Sequence, residues 1–290
     1  MPTREIKVKD GKERDPVVCM CAAEVLCDLI HSGLDIVEKE TLRMTYLPEC
    51  IPSGWQPHDW GNSACFTSLA ALLSSQHYRY HALSGFVISA GGLGESTMRG
   101  ASDALLEVLN AHRDSSPDME VFLHDLAAIF SNNVGIARVT LPLLRTLEQI
   151  FSAEVLNCFG ALPDSSPSLA KIIDLVAAEA AAKGNPQKVR IAVTILCHAL
   201  HFNCDSRIWH KAASVIVRTL RSPYPTLRRS AAEQLYECIA SEVVNPHGKE
   251  NGNRSELLNI LTKTEWQVDG EQDRFSELSS SIARMLNVGC

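Results

Sequence analysis

From residue 64 onward, apolar residues recur at helical spacing in stretches broken every 12–20 residues by Gly, Pro or Asn. That period places the apolar side chains on one face of a helix. No window keeps the period-2 alternation of a strand for more than a few positions, so the pattern predicts an all-α chain. Residues 78–90 are strongly apolar and stop at Gly91-Gly92, and 95–110 follow. Residues 118–130 are amphipathic through Val121, Leu123, Leu126, Ile129 and Phe130, and Asn132-Asn133 ends them. Alanine-rich 169–183 stops at Gly184, and Asn185-Pro186 offers the next helix its cap and first residue. Residues 207–220 and 225–243 read as further helices. Pro142 belongs in a first turn or at a kink, because a helix-interior proline costs about 3 kcal/mol.

Four short stretches carry an apolar residue, then arginine, then apolar positions at helical spacing: Met98-Arg99, Ala137-Arg138, Val189-Arg190 and Leu227-Arg228. The arginines are 39, 52 and 38 residues apart. Helix pairs of HEAT or armadillo type recur at about 40–47 residues, so the spacing brackets that period. The expected architecture is a HEAT/armadillo-like helical-repeat solenoid of stacked antiparallel helix pairs, which typically offers a binding surface rather than a catalytic pocket. Residues 1–16 read as a charged, disordered lead, and 17–288 as a single helical-repeat domain whose first helix covers 17–30. Within it, 48–63 is an irregular loop rich in Pro and Gly, and 245–253 is a polar linker. A capping helix at about 272–287 carries Phe275, Leu278, Ile282 and Leu286 on one stripe.

The formal charge of −7 argues against a nucleic-acid binder, which would show a basic face. No apolar run approaches the ~20 residues needed to span a bilayer, so membrane insertion is not expected. The first fifteen residues lack the apolar segment of a secretory signal. The ten cysteines are irregularly spaced and read as reduced thiols of a cytoplasmic protein.

Constellations that suggest chemistry are sparse. Gly91-Gly92-Leu93-Gly94-Glu95-Ser96 has the look of a phosphate loop but lacks a preceding strand and a Gly-Lys-Ser/Thr, so it reads as a helix stop and turn. Cys197, His198, His201 and Cys204 form the one metal-like cluster, without the four ligands from two elements that structural zinc uses. His77 and His81 share a face without the glutamate of HExxH. No Gly-x-Ser-x-Gly elbow is present. No catalytic residue, cofactor or metal site is assigned, and an enzyme is not expected. Candidate partner contacts are Tyr78, Arg79 and Tyr80, together with Trp55 and Trp60 in the irregular loop, because Tyr, Trp and Arg are enriched at interface hot spots. The tyrosines have an alternative role in packing. Arg99, Arg138, Arg190 and Arg228 are expected to be structural between repeats, pairing with acidic groups of their neighbours.

Several stretches, in order and at matching spacing, resemble the C-terminal part of the tubulin-folding cofactor D family. They are Tyr78-Arg79-Tyr80-His81 running on to Thr97, Pro142 to Leu147, Tyr224 to Glu237, Thr264-Glu265-Trp266, and Leu286-Asn287-Val288. Gly94 departs from the family's usual hydroxyl residue, and Gln267 from its usual acid. The resemblance implies a HEAT/armadillo-type chaperone that binds β-tubulin. It implies partnership with tubulin cofactors C and E and an Arf-like small GTPase in assembling and dismantling the α/β-tubulin dimer, with joint stimulation of GTP hydrolysis by tubulin. It implies a cytoplasmic, cytoskeleton-associated location. It assigns tubulin contact to no particular residue. The alternative is a generic helical-repeat adaptor without tubulin chaperone activity.

Overall fold

The computed structural model describes residues 66, 69–76, 78–92, 94–181, 185–241, 251–270 and 272–289. The lead 1–16, the helix expected at 17–30, and the loop 48–63 with Trp55 and Trp60 lie outside these residues. Most of the linker 245–253 does too. Among the described residues there are ten α-helices and no strand, the class that the periodicity predicts. Two compact units divide the chain, Met1–Ala104 and Leu105–Cys290.

The first unit holds a short 3-10 helix, Ala70–Ser74, helix α1, Arg79–Ala90, and the start of α2, Glu95–Ala111. Helix α1 packs on the 3-10 helix and is buried continuously from Ala82 to Ala90. A helix apolar all round belongs inside a core. Phe66 meets Phe86 edge to face at 5.4 Å between ring centroids. The run of glycines ends α1, with Gly91 as its C-cap. At Gly92 a Cβ would come within 3.1 Å of the carbonyl oxygens of Ile88 and Ser89, so that turn favours glycine. A helix precedes this segment, not a strand, which leaves the turn reading.

The second unit continues α2 and adds α3 Ser116–Asn132, α4 Ala137–Ser152, α5 Pro167–Ala181, α6 Pro186–Ala199, α7 Arg207–Thr219, α8 Pro225–Ala240, α9 Asn251–Lys263 and α10 Gln272–Met285. Residues 251–253, assigned to the linker from sequence, are the first residues of α9. The helices stack in two layers. Helix α5 packs on α3, α7 on α5 and α10 on α7, while α6 packs on α4, α8 on α6 and α9 on α8. Contacts of α5 with α6, α6 with α7, α7 with α8 and α9 with α10 join the layers. The last pair occupies the layers in reversed order, since α9 continues the α8 layer and α10 the α7 layer. This is a helical-repeat solenoid of packed neighbouring helices.

Side-chain hydrogen bonds between consecutive repeats span nearly constant intervals. Gln234 donates to Thr194 at 2.7 Å across 40 residues, and the Cys238 thiol donates to the Cys197 carbonyl across 41. Lys188 donates to Thr140 across 48, reflecting the longer α4–α5 connection. Acidic side chains from one repeat cap helices of the next. Glu120 accepts from the Ser168 amide at 3.1 Å at the start of α5. Asp164 accepts from the Arg207 and Ile208 amides at 2.8 and 3.2 Å at the start of α7. These carboxylates satisfy helix N–H groups that have no partner within the helix and complement the positive end of its dipole.

Three details depart from expectation. Val121 is 40% exposed, and the buried face of α3 uses Phe122 and Asp125 instead, because the core-facing stripe is rotated by one residue. Pro142 lies past the first turn of α4, inside the helix; the carbonyl it deprives of a donor belongs to exposed Arg138, where water can serve it. On α10 the buried stripe is Phe275, Ser279, Ile282 and Leu286, and Leu278 is half-buried. Ser279 takes the inward position because its hydroxyl accepts a hydrogen bond from Arg221.

Candidate functional site

The sequence-predicted contact residues fare unevenly. Tyr78 is 5% exposed at the N-cap of α1, so it packs in the core and presents no free surface. Arg79 and Tyr80 are half-buried, and the Tyr80 ring stands edge-on to His81 at 5.5 Å. Among the described residues Arg99 pairs with Glu95 one turn back, both strongly exposed. Such a pair contributes ~0–1 kcal/mol. Arg138 is exposed at the second position of α4.

Arg190 and Arg145 flank Glu148 of α4. Burial raises the Glu148 carboxyl above its ordinary value of 4.5, against the opposing pull of both arginines and a hydrogen bond from Thr194. With Gln234 bound to Thr194, this makes a polar ladder from α4 across α6 to α8.

Arg228 is 2% exposed, and among the described residues it has no acidic ion-pair partner, where the sequence reading expects one. Its Nε donates to the Trp266 carbonyl at 3.1 Å, Nη1 to Ser222 at 2.7 Å and Nη2 to Val268 at 2.6 Å. The guanidinium lies 4.3 Å from the centroid of the Phe275 ring, which itself stacks on Trp266 at 5.6 Å. One planar cation thus joins the α7–α8 turn, the α9–α10 loop and α10. The interval of 40–41 residues between α6 and α8 gives Arg190 its counterpart at Ser230, not at Arg228. The arginines that suggested a repeat are therefore not structural equivalents. What recurs is the start of a helix.

The Cys197–His198–His201–Cys204 stretch spans the end of α6 and the turn after it. Cys197 is buried, and its thiol donates to the Cys238 sulfur, which together with burial holds the Cys197 thiol well above the ordinary range. The His198 and His201 rings stand edge to face, their centroids 6.1 Å apart. Among the described residues no group of three or more His, Cys, Asp or Glu is placed to hold a metal ion, and no helix is long and apolar enough to cross a membrane.

A groove that the sequence reading missed runs between α8 and the end of α9. Its volume is about 490 Å³. Ala232, Leu261 and Trp266 form its buried apolar floor, Tyr236 stands at its side 39% exposed, and Glu233, Glu237 and Glu265 are exposed at its margin. Arg229 is bonded to Glu233 at 2.6 Å. The signal in the sequence was the spacing of Arg229, Glu233, Tyr236 and Glu237, which share one helical face. A tyrosine on a charged outer face is the feature that marks it.

A comparison with protein-family models finds a match over residues 18–188, more than half of the chain, to the model described as tubulin folding cofactor D C terminal. Arg228 and the groove lie beyond the matched residues.

Proposed function

The chain belongs to the tubulin folding cofactor D C-terminal family, and on that basis we propose that it is a chaperone scaffold that binds β-tubulin. Family membership supports a tubulin-folding chaperone role, and the family match is the observation that carries the reading. In this proposal the chain acts with tubulin cofactors C and E and an Arf-like small GTPase in α/β-tubulin dimer assembly and disassembly, in the cytoplasm and at the cytoskeleton. It performs no bond-making chemistry itself and contributes to stimulation of GTP hydrolysis only within the complex. The layered helices support this reading, because such stacks bind through extended surfaces.

The test is interferometry with purified αβ-tubulin and with an Arf-like GTPase, followed by GTP hydrolysis assays with cofactors C and E. The expected outcome is micromolar or weaker binding, corresponding to about −8 kcal/mol or less favourable, and no stimulation by the chain alone. Arg79→Glu should weaken binding without changing the melting temperature, since Arg79 is only half-buried. Binding to neither protein would refute the proposal and leave the generic adaptor.

A further inference from the structure

The groove between α8 and α9 combines three features that favour one kind of occupant. Its floor of Ala232, Leu261 and Trp266 is apolar, and its Tyr236 ring is accessible. Its margin carries three carboxylates against one arginine, and that arginine is already bonded to Glu233. Glu237 and Glu265 have no basic ion-pair partner among the described residues. Two carboxylates beside an exposed phenol ring and an apolar floor match a guanidinium or ammonium carried on an apolar stem. Such a side chain can lie flat on the ring while its donors reach the carboxylates. The volume of about 490 Å³ falls within the range of small-ligand pockets. Beyond Trp266, which stacks on Phe275, the same fold already uses this mode internally, with Arg228 over the Phe275 ring.

We propose that this groove is a docking site for a segment of a partner protein bearing an arginine or lysine beside an apolar residue. Glu237 and Glu265 hold the cation, Tyr236 stacks on it, and the apolar neighbour covers Leu261 and Trp266. Complementary charge sets the orientation of the segment and excludes acidic segments. The inference does not rest on the identity of the chain's partners, so it stands or falls separately from tubulin binding.

The experiment uses the full chain and two short synthetic peptides, identical in Gly and Ser except for a central Leu-Arg-Leu in one and Leu-Glu-Leu in the other. The readout is the indole N–H resonance of Trp266, assigned with Trp266→Phe; that N–H donates to the Leu261 carbonyl at 3.0 Å, and both residues line the groove. The expected result is a saturable shift with the arginine peptide and none with the glutamate peptide. The double variant Glu237→Lys with Glu265→Lys should weaken binding by about tenfold or more. The resonance of Trp209, fully buried elsewhere, should stay in place as the fold control. Tyr236→Ala should weaken binding, whereas Tyr224→Ala, exposed but outside the groove, should not. Absence of a saturable shift, an equal response to both peptides, or unchanged affinity in the charge-reversed variant would each overturn the proposal.

Discussion

Replacing Arg228 by methionine removes the charge and the donors while keeping most of the apolar bulk. Three carbonyls then lose their partner, at Ser222, Trp266 and Val268. The bond to Trp266 is the most buried of the three, so that carbonyl is the one left stranded, at about 1–3 kcal/mol. Loss of the contact with the Phe275 ring adds about 2 kcal/mol for a dehydrated site. Relief from burying the guanidinium offsets part of this, because dehydrating an ion costs several kcal/mol. The net expectation is a loss of about 1–2 kcal/mol. Arg228→Lys should fall between parent and methionine, since a single ammonium cannot reach three divergent carbonyls and stack as well. Urea unfolding gives the magnitude, and amide exchange gives the location. Exchange should accelerate first in 264–286, the loop and helix that Arg228 ties to α7 and α8. Stability within about 0.5 kcal/mol of the parent would refute the account, as surface substitutions behave that way. Exchange that accelerates evenly over α3 to α10 would refute it too.

Arg228 also shows where the sequence stops being legible. Its helix could be read, because Pro225 opens α8 and apolar residues follow at helical spacing. Its partners could not, since they are backbone carbonyls brought in from 38 and 40 residues away, and carbonyls leave no mark in a sequence. Element boundaries were legible wherever a local signal fixed them. Ser115 before Pro117, Asn185 before Pro186, and Gly91 after α1 act through their own backbone neighbourhoods. Which face turns inward was harder. On α3 and α10 a neighbouring residue competes for the core stripe, and packing against α5 and α7 settles it. The groove was legible only in part, as the charged face of α8 with its tyrosine, for the same reason. Half of it lies on α8 and half on the end of α9 and the loop beyond, and each half alone looks like an ordinary charged surface.

Three further outcomes follow from the packing. Ile282→Ala, at a site with no exposure, should cost about 2–5 kcal/mol, and Leu278→Ala clearly less because Leu278 is half-buried; equal losses would show that the stripe on α10 is misassigned. Burial raises the Glu148 carboxyl, so the folded chain holds that proton more tightly than the unfolded chain. Stability from this group is present at low pH and is lost as pH rises through the folded value. Glu148→Gln should therefore be the more stable protein at neutral pH, with the advantage closing as pH falls toward 4.5, and a variant less stable at neutral pH would contradict the sign. The Lys188–Glu179 pair gives the last prediction. The two side chains are each 11% exposed and 3.1 Å apart, and Lys188 also donates to Thr140 of the preceding repeat. Lys188→Met leaves the Glu179 carboxylate buried without its cation, a loss of about 3–5 kcal/mol. Adding Glu179→Leu removes that stranded charge, and a buried pair replaced by apolar residues is often neutral, so the double variant should recover most of the loss. Chemical denaturation of the parent, both single variants and the double variant closes the cycle. A double variant as unstable as Lys188→Met alone would mean that the lysine acts through Thr140 and the α4–α6 contact, and that the ion pair has no separate role.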